Sequence, residues 1–157
     1  MKTFRELSEG DLVWTVRWDK YDARVVRVTK KTMVYFDDGG VEARFRFDQS
    51  YFERTHSLII PTPYLDETEL CTNFPEIHYG CTYLFTSGEP ALKMLKEEET
   101  RRLDEAFDRY ERAEDVINNP GSAPSKVRMY STTLENTERR ILSIEARYQG
   151  IYEKISY

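Results

Sequence analysis

Apolar residues recur at two different periods in the two ends of this 157-residue chain, and that change of period constrains its fold more than any other feature. Between residues 12 and 47 the repeat is two; from residue 92 onward it is three or four. A period of two sends alternate side chains to opposite faces of a strand, whereas steps of three and four gather them on one face of a helix. The chain therefore reads as α+β, with strands first and helices last.

In the first part, Gly10-Asp11 is a turn signal and Leu12-Val13-Trp14-Thr15-Val16 is a β-rich run. Ala23-Arg24-Val25-Val26-Arg27-Val28 forms a second strand, with Lys30-Lys31 as a polar turn before a third, Met33-Val34-Tyr35-Phe36. Asp37-Asp38-Gly39-Gly40 suits a tight hairpin, because glycine tolerates positive φ. Val41, Ala43, Phe45 and Phe47 then alternate with Glu42, Arg44 and Arg46, the pattern of a half-buried strand. Short strands with tight turns suggest a small barrel or curled sheet over residues 1–60, with Val25, Val34 and Phe36 expected in its core.

Residues 61–88 open with Pro61-Thr62-Pro63, which disfavours both helix and ladder pairing, and read as a packed acidic connector with an extra strand over 78–85. Residues 89–157 read as an antiparallel helical hairpin. Ser87 is an N-cap candidate, and Leu92, Leu95, Leu103, Ala106, Phe107, Tyr110, Ala113 and Ile117 follow at helical steps up to Asn118-Asn119-Pro120-Gly121. Lys96 through Arg102 is polar all round and is expected to face solvent. After about 14 loop residues, Leu134, Thr137, Ile141, Ile144, Tyr148, Ile151 and Ile155 keep a 3-4-3-4 seam flanked by Glu138 and Glu145. The seam can pair within the chain or between copies, so a homodimer through the helices is compatible with it.

Composition narrows the function classes. The net charge is −5, distributed as 11 Lys/Arg against 10 Asp/Glu over residues 1–60, none against four over 61–88, and 12 against 14 over 89–157. Bulk charge therefore does not attract nucleic acid, and any such contact needs a local patch. No apolar run reaches the roughly 18 residues of a membrane span, and nothing near the N-terminus marks export. Two cysteines fit a reducing compartment, so a cytoplasmic protein with no membrane partner is expected.

The stretch Gly10-Asp11-Leu12-Val13-Trp14, then Ala23-x-Val25-x-x-Val28, then Val34-x-Phe36-Asp37-Asp38-Gly39 resembles the SH3-like barrels of the Tudor, PWWP and KOW families over about 45 residues. A Gly-Asp turn opens their first strand, a small residue sits in the second, and an acidic-Gly turn ends the third. There is no Pro-Trp-Trp-Pro element; Asp19-Lys20-Tyr21-Asp22 stands in its place. The Tudor resemblance implies an aromatic cage, for which Trp14, Trp18, Tyr21 and Tyr35 are the candidates, and the KOW resemblance implies contact with nucleic acid or the transcription machinery. Small, acidic, Tyr-rich chains of this build are also common among phage-encoded host-takeover proteins.

Three sets of residues carry candidate chemistry. The aromatic set could hold a cation by its ring faces or act as a general binding surface, against the plainer role of barrel core and rim. Arg17, Arg24, Lys30, Lys31, Arg44 and Arg46 alternate with apolar positions and could track a phosphate backbone, although carboxylates are interleaved with them. Cys71, His78 and Cys81, with His56 upstream, lack the paired short spacings of structural zinc sites, so no metal or cofactor is expected. No phosphate loop, His-Glu-x-x-His or Gly-x-Ser-x-Gly motif is present. The expected function is that of a non-enzymatic accessory protein whose barrel contacts nucleic acid or a nucleic-acid-processing machine. The alternative is a protein–protein adaptor or inhibitor that blocks a basic partner with acidic and aromatic surface.

Overall fold

The computed structural model describes residues 1–17, 22–49, 57–71 and 82–155. The chain is α+β: a six-stranded antiparallel sheet curled into a half-barrel, followed by two long helices. The strands are β1 (Leu12–Arg17), β2 (Asp22–Tyr35), β3 (Val41–Phe47), β4 (Ser57–Pro61), β5 (Glu69–Cys71) and β6 (Thr82–Phe85). Their spatial order is β4-β3-β2-β1-β6-β5. Helix α1 is Gly88–Asn118 and helix α2 is Pro124–Ile155. Two compact units result, Met1–Met94 with Ile151–Tyr157 and Leu95–Gly150. No helix among the described residues is long and apolar enough to cross a membrane.

The curl originates in β2. Its first half pairs with β1, from Leu12↔Arg27 to Arg17↔Asp22, and its second half pairs with β3, from Val28↔Phe47 to Tyr35↔Val41. The register shifts between Val28 and Lys30, an irregularity of the kind that bends a strand and sharpens its twist. Lys30-Lys31 is therefore not a turn between two strands, as the sequence suggested. Neither residue is of a type that sets a turn, and Thr29 and Thr32 on either side favour continued strand. Gly10, at φ 95°, takes a conformation that a side chain would strain, and its amide donates to the Val28 carbonyl at 2.8 Å, so the opening turn is fastened to the bend.

The core of the curled sheet comprises Val13, Val26, Val28, Ala43, Phe45, Phe47, Leu58, Ile60, Leu65, Leu70 and Leu84, into which Phe4 and Leu7 insert from the N-terminal segment. That segment is held by backbone bonds from the Phe4 amide to the Glu67 carbonyl at 2.9 Å and from the Arg5 amide to the Leu65 carbonyl at 2.7 Å. Val25 is buried and Val34 half-buried, but Phe36 is 47% exposed, because β2 ends at Tyr35 and Phe36 enters the hairpin turn. Residues 61–71 and 82–88 belong to the sheet unit, to which they supply the end of β4, β5 and β6. The described part of the stretch 78–85 is β6, paired with β1 through Trp14↔Phe85.

In the helical unit the connection is shorter than the sequence suggested. Residues 119–123 alone separate the helices, because Pro124 occupies the first turn of α2, where its missing N–H is no loss. The Ser122 hydroxyl donates to the Val116 carbonyl at 2.7 Å and so closes the end of α1. The Ser/Thr-rich start of α2 stays helical: the hydroxyls of Ser131, Thr133 and Thr137 donate to carbonyls four residues back at 2.8, 3.2 and 2.7 Å. Ala106, Ala113, Ile144 and Tyr148 are buried, as the seam requires.

The polar run 96–102 does not lie wholly in solvent. Glu98 is 1% exposed and pairs with Arg102 at 2.5 Å. A three-residue step from Leu95 reaches Glu98, and four-residue steps lead on through Arg102 to Ala106, which puts the two on the buried face with their opposite charges together. Burial pushes the Glu98 carboxyl above its ordinary value, with Arg102 opposing.

Candidate functional site

The bend in β2 decides which cations share a face. Beyond it, Lys30 lies opposite Arg46 and Thr32 opposite Arg44, while Arg44 and Arg46 lie opposite Ile59 and Ser57 of β4. All six are exposed and, with Phe45, line a concavity of about 350 Å³. Lys30 and Arg46, directly opposed like charges, weaken a strand pairing, so folding does not account for their juxtaposition. Glu42 pairs with Arg44 at 2.9 Å, whereas neither Lys30 nor Arg46 forms an ion pair among the described residues.

The other predicted cations lie elsewhere. Lys31 falls on the opposite face from Lys30. Its amine bonds to the Arg5 carbonyl and sits 5.8 Å from the Phe45 ring centre, and burial lowers its pKa. It ties the N-terminal segment to the sheet. Arg17 and Arg24 lie at the far end of the β1–β2 ladder, around Asp22, which pairs with Arg24 at 3.1 Å. The alternation along β2 suggested one common face, but the irregularity at Val28–Lys30 breaks its parity, so Lys30, Arg44 and Arg46 are the three brought together.

The aromatic candidates do not converge among the described residues. Trp14 is half-buried, paired across strands with Val25 and Phe85, and its indole lies so near Gly88 that an added methyl there would be 3.1 Å away. Tyr35 is 74% exposed at the other end of β2, ten residues from Val25, on the order of 30 Å along an extended strand. Trp18 and Tyr21 lie outside the described residues. So do His56, His78 and Cys81; Cys71 is a free thiol, and no group of three metal-binding side chains occurs among the described residues.

Ile59, 43% exposed, was missed from sequence although its signal was present. In Leu58-Ile59-Ile60 the outer two residues are buried, so a period of two turns Ile59 outward onto the cationic face. Chemically, this concavity offers one ammonium, two guanidinium forks and a small apolar floor. Such a set matches phosphate oxygens beside a sugar or base edge.

The chain matches no protein-family model, no curated protein and no solved structure.

Proposed function

We propose that this is a non-enzymatic accessory binding protein, an SH3-like barrel of the Tudor, PWWP and KOW kind whose sheet contacts nucleic acid through the Lys30–Arg44–Arg46 face. The observation that carries this reading is the direct opposition of Lys30 and Arg46, with Arg44 on the next pair. Such a cluster makes the fold slightly weaker and is retained to better purpose if an anion sits over it. The interaction is local: the chain is acidic at −5, so binding depends on close contact and not on long-range attraction.

Three phosphate contacts release about three counterions, so affinity for duplex DNA should fall with salt at a log–log slope of about −3. Arg44→Glu with Arg46→Glu should weaken binding regardless of sequence and flatten the slope by about two. Fluorescence anisotropy with labelled DNA and RNA probes over a salt series measures both. Absence of wild-type binding at about 50 mM salt, where screening is weak, would discard the reading.

A further inference from the structure

The hairpin unit carries a second concavity, of about 490 Å³, bounded by Phe107, Tyr110, Glu111 and Glu114 of α1 and by Glu138, Ile141 and Leu142 of α2. Phe107 is 46% and Leu142 66% exposed, large apolar side chains on the two helices that line the groove. The Tyr110 hydroxyl bonds to Glu138 at 3.3 Å and also lies beside Glu114. Carboxylates thus stand on both walls, while Arg109, Arg112 and Arg139 of the same helices do not line the groove.

We infer that this groove docks an amphipathic helix of a partner protein, with apolar residues at i, i+3/i+4 and i+7 and Lys or Arg on both flanks. The shape argument is that a groove between antiparallel helices accepts the side-chain ridges of a third helix. Charge selects the partner. Cations flanking the apolar stripe would meet Glu111 and Glu114 on one wall and Glu138 on the other. A second copy docked groove-to-groove would instead bring three carboxylates against three, which disfavours a twofold dimer through this face. The groove shares no residue with the cationic face of the sheet, and the inference stands whether or not that face binds nucleic acid.

The probe is a labelled synthetic helix of leucines at the stripe positions and lysines on the flanks, with a control carrying glutamates in place of the lysines. The full-length protein should bind the lysine helix in anisotropy titrations and leave the glutamate control unbound. Leu142→Ser and Glu138→Lys should each weaken binding at least tenfold. Glu97→Lys, the same charge change at an exposed position outside the groove, should weaken it less than twofold. Circular dichroism shows whether each variant keeps its helix content. If Leu142→Ser loses helix, Phe107→Ser tests the same wall. Equal binding of both peptides, equal losses from Glu138→Lys and Glu97→Lys, or unchanged binding in a folded groove variant would overturn the inference. So would a wild-type dimer in sedimentation that Leu142→Ser dissociates, because the groove would then belong to a second copy.

Discussion

Replacing Glu98 with alanine should destabilise the hairpin unit by about 3–5 kcal/mol, the usual cost of removing one member of a buried ion pair. The Arg102 side chain is 13% exposed, so its guanidinium would lose its carboxylate in a place that water reaches poorly. A double substitution, Glu98→Leu with Arg102→Met, removes both charges and keeps the volume. It should be neutral or up to about 4 kcal/mol more stable than wild type. Chemical denaturation followed by circular dichroism measures both variants. A mild single variant, or a double variant destabilised as much as the single one, would mean that an orphaned Arg102 charge is not what the loss of Glu98 costs.

The same pair gives a signed pH dependence. Burial holds the Glu98 carboxyl above its ordinary value of 4.5, so the folded hairpin binds its proton more tightly than the unfolded chain does. The associated stability is fully present below the unfolded value and is lost as pH rises through the folded one. Asp11, held low by the Lys2 ammonium and the Ser8 amide, and Asp66, held low by Arg5, act in the opposite direction. The difference between wild type and the double variant isolates Glu98. Relative to the double variant, wild type should lose stability on going from below about pH 4.5 toward neutrality.

Where one periodicity governs a segment, the sequence led to the observed structure. Ala43, Phe45 and Phe47 alternate without interruption and are buried as β3, and Ile144, Tyr148, Ile151 and Ile155 are buried on α2. The reading failed where a second influence intervened. Phe4 and Leu7 belong to no periodic run, so nothing local marks them as core; they are buried by the long-range bonds of residues 4 and 5 to residues 65 and 67. The polar run at Glu98 hid a buried pair, because a period of polarity is indistinguishable from exposure until the helix opposite is in place. For the candidate site, the residue types were legible and their grouping was not. Lys30 and Lys31, read as a turn, are consecutive residues of β2 and so face opposite ways, and no residue type in Thr29-Lys30-Lys31 announces the register shift that precedes them.

That distinction between composition and placement gives the second large effect. Phe36 and Phe45 are the same residue type, both near strand ends of one hairpin, and a hydrophobicity profile weighs them alike. Phe45 is 1% exposed and packs in the core against Phe47, ring centres 6.5 Å apart and nearly parallel, while Phe36 is 47% exposed beside the turn at Gly39-Gly40. Phe45→Ala removes a ring from close-packed surroundings that can collapse only in part, and should cost the sheet unit about 3–5 kcal/mol. It also removes the surface over which the Lys31 amine rests, and so loosens the hold on the N-terminal segment. Phe36→Ala deletes a ring that is about half solvated already, and its expected cost is below about 1 kcal/mol. Because the chain has two compact units, the readout must report on the sheet; Trp14 lies in β1, and tryptophan fluorescence during urea denaturation follows that unit. Phe45→Ala should shift the fluorescence midpoint strongly and Phe36→Ala hardly at all. Equal shifts would mean that β2 runs past Tyr35 and carries Phe36 into the core, and the parity that brings Lys30 opposite Arg46 would then fall with it.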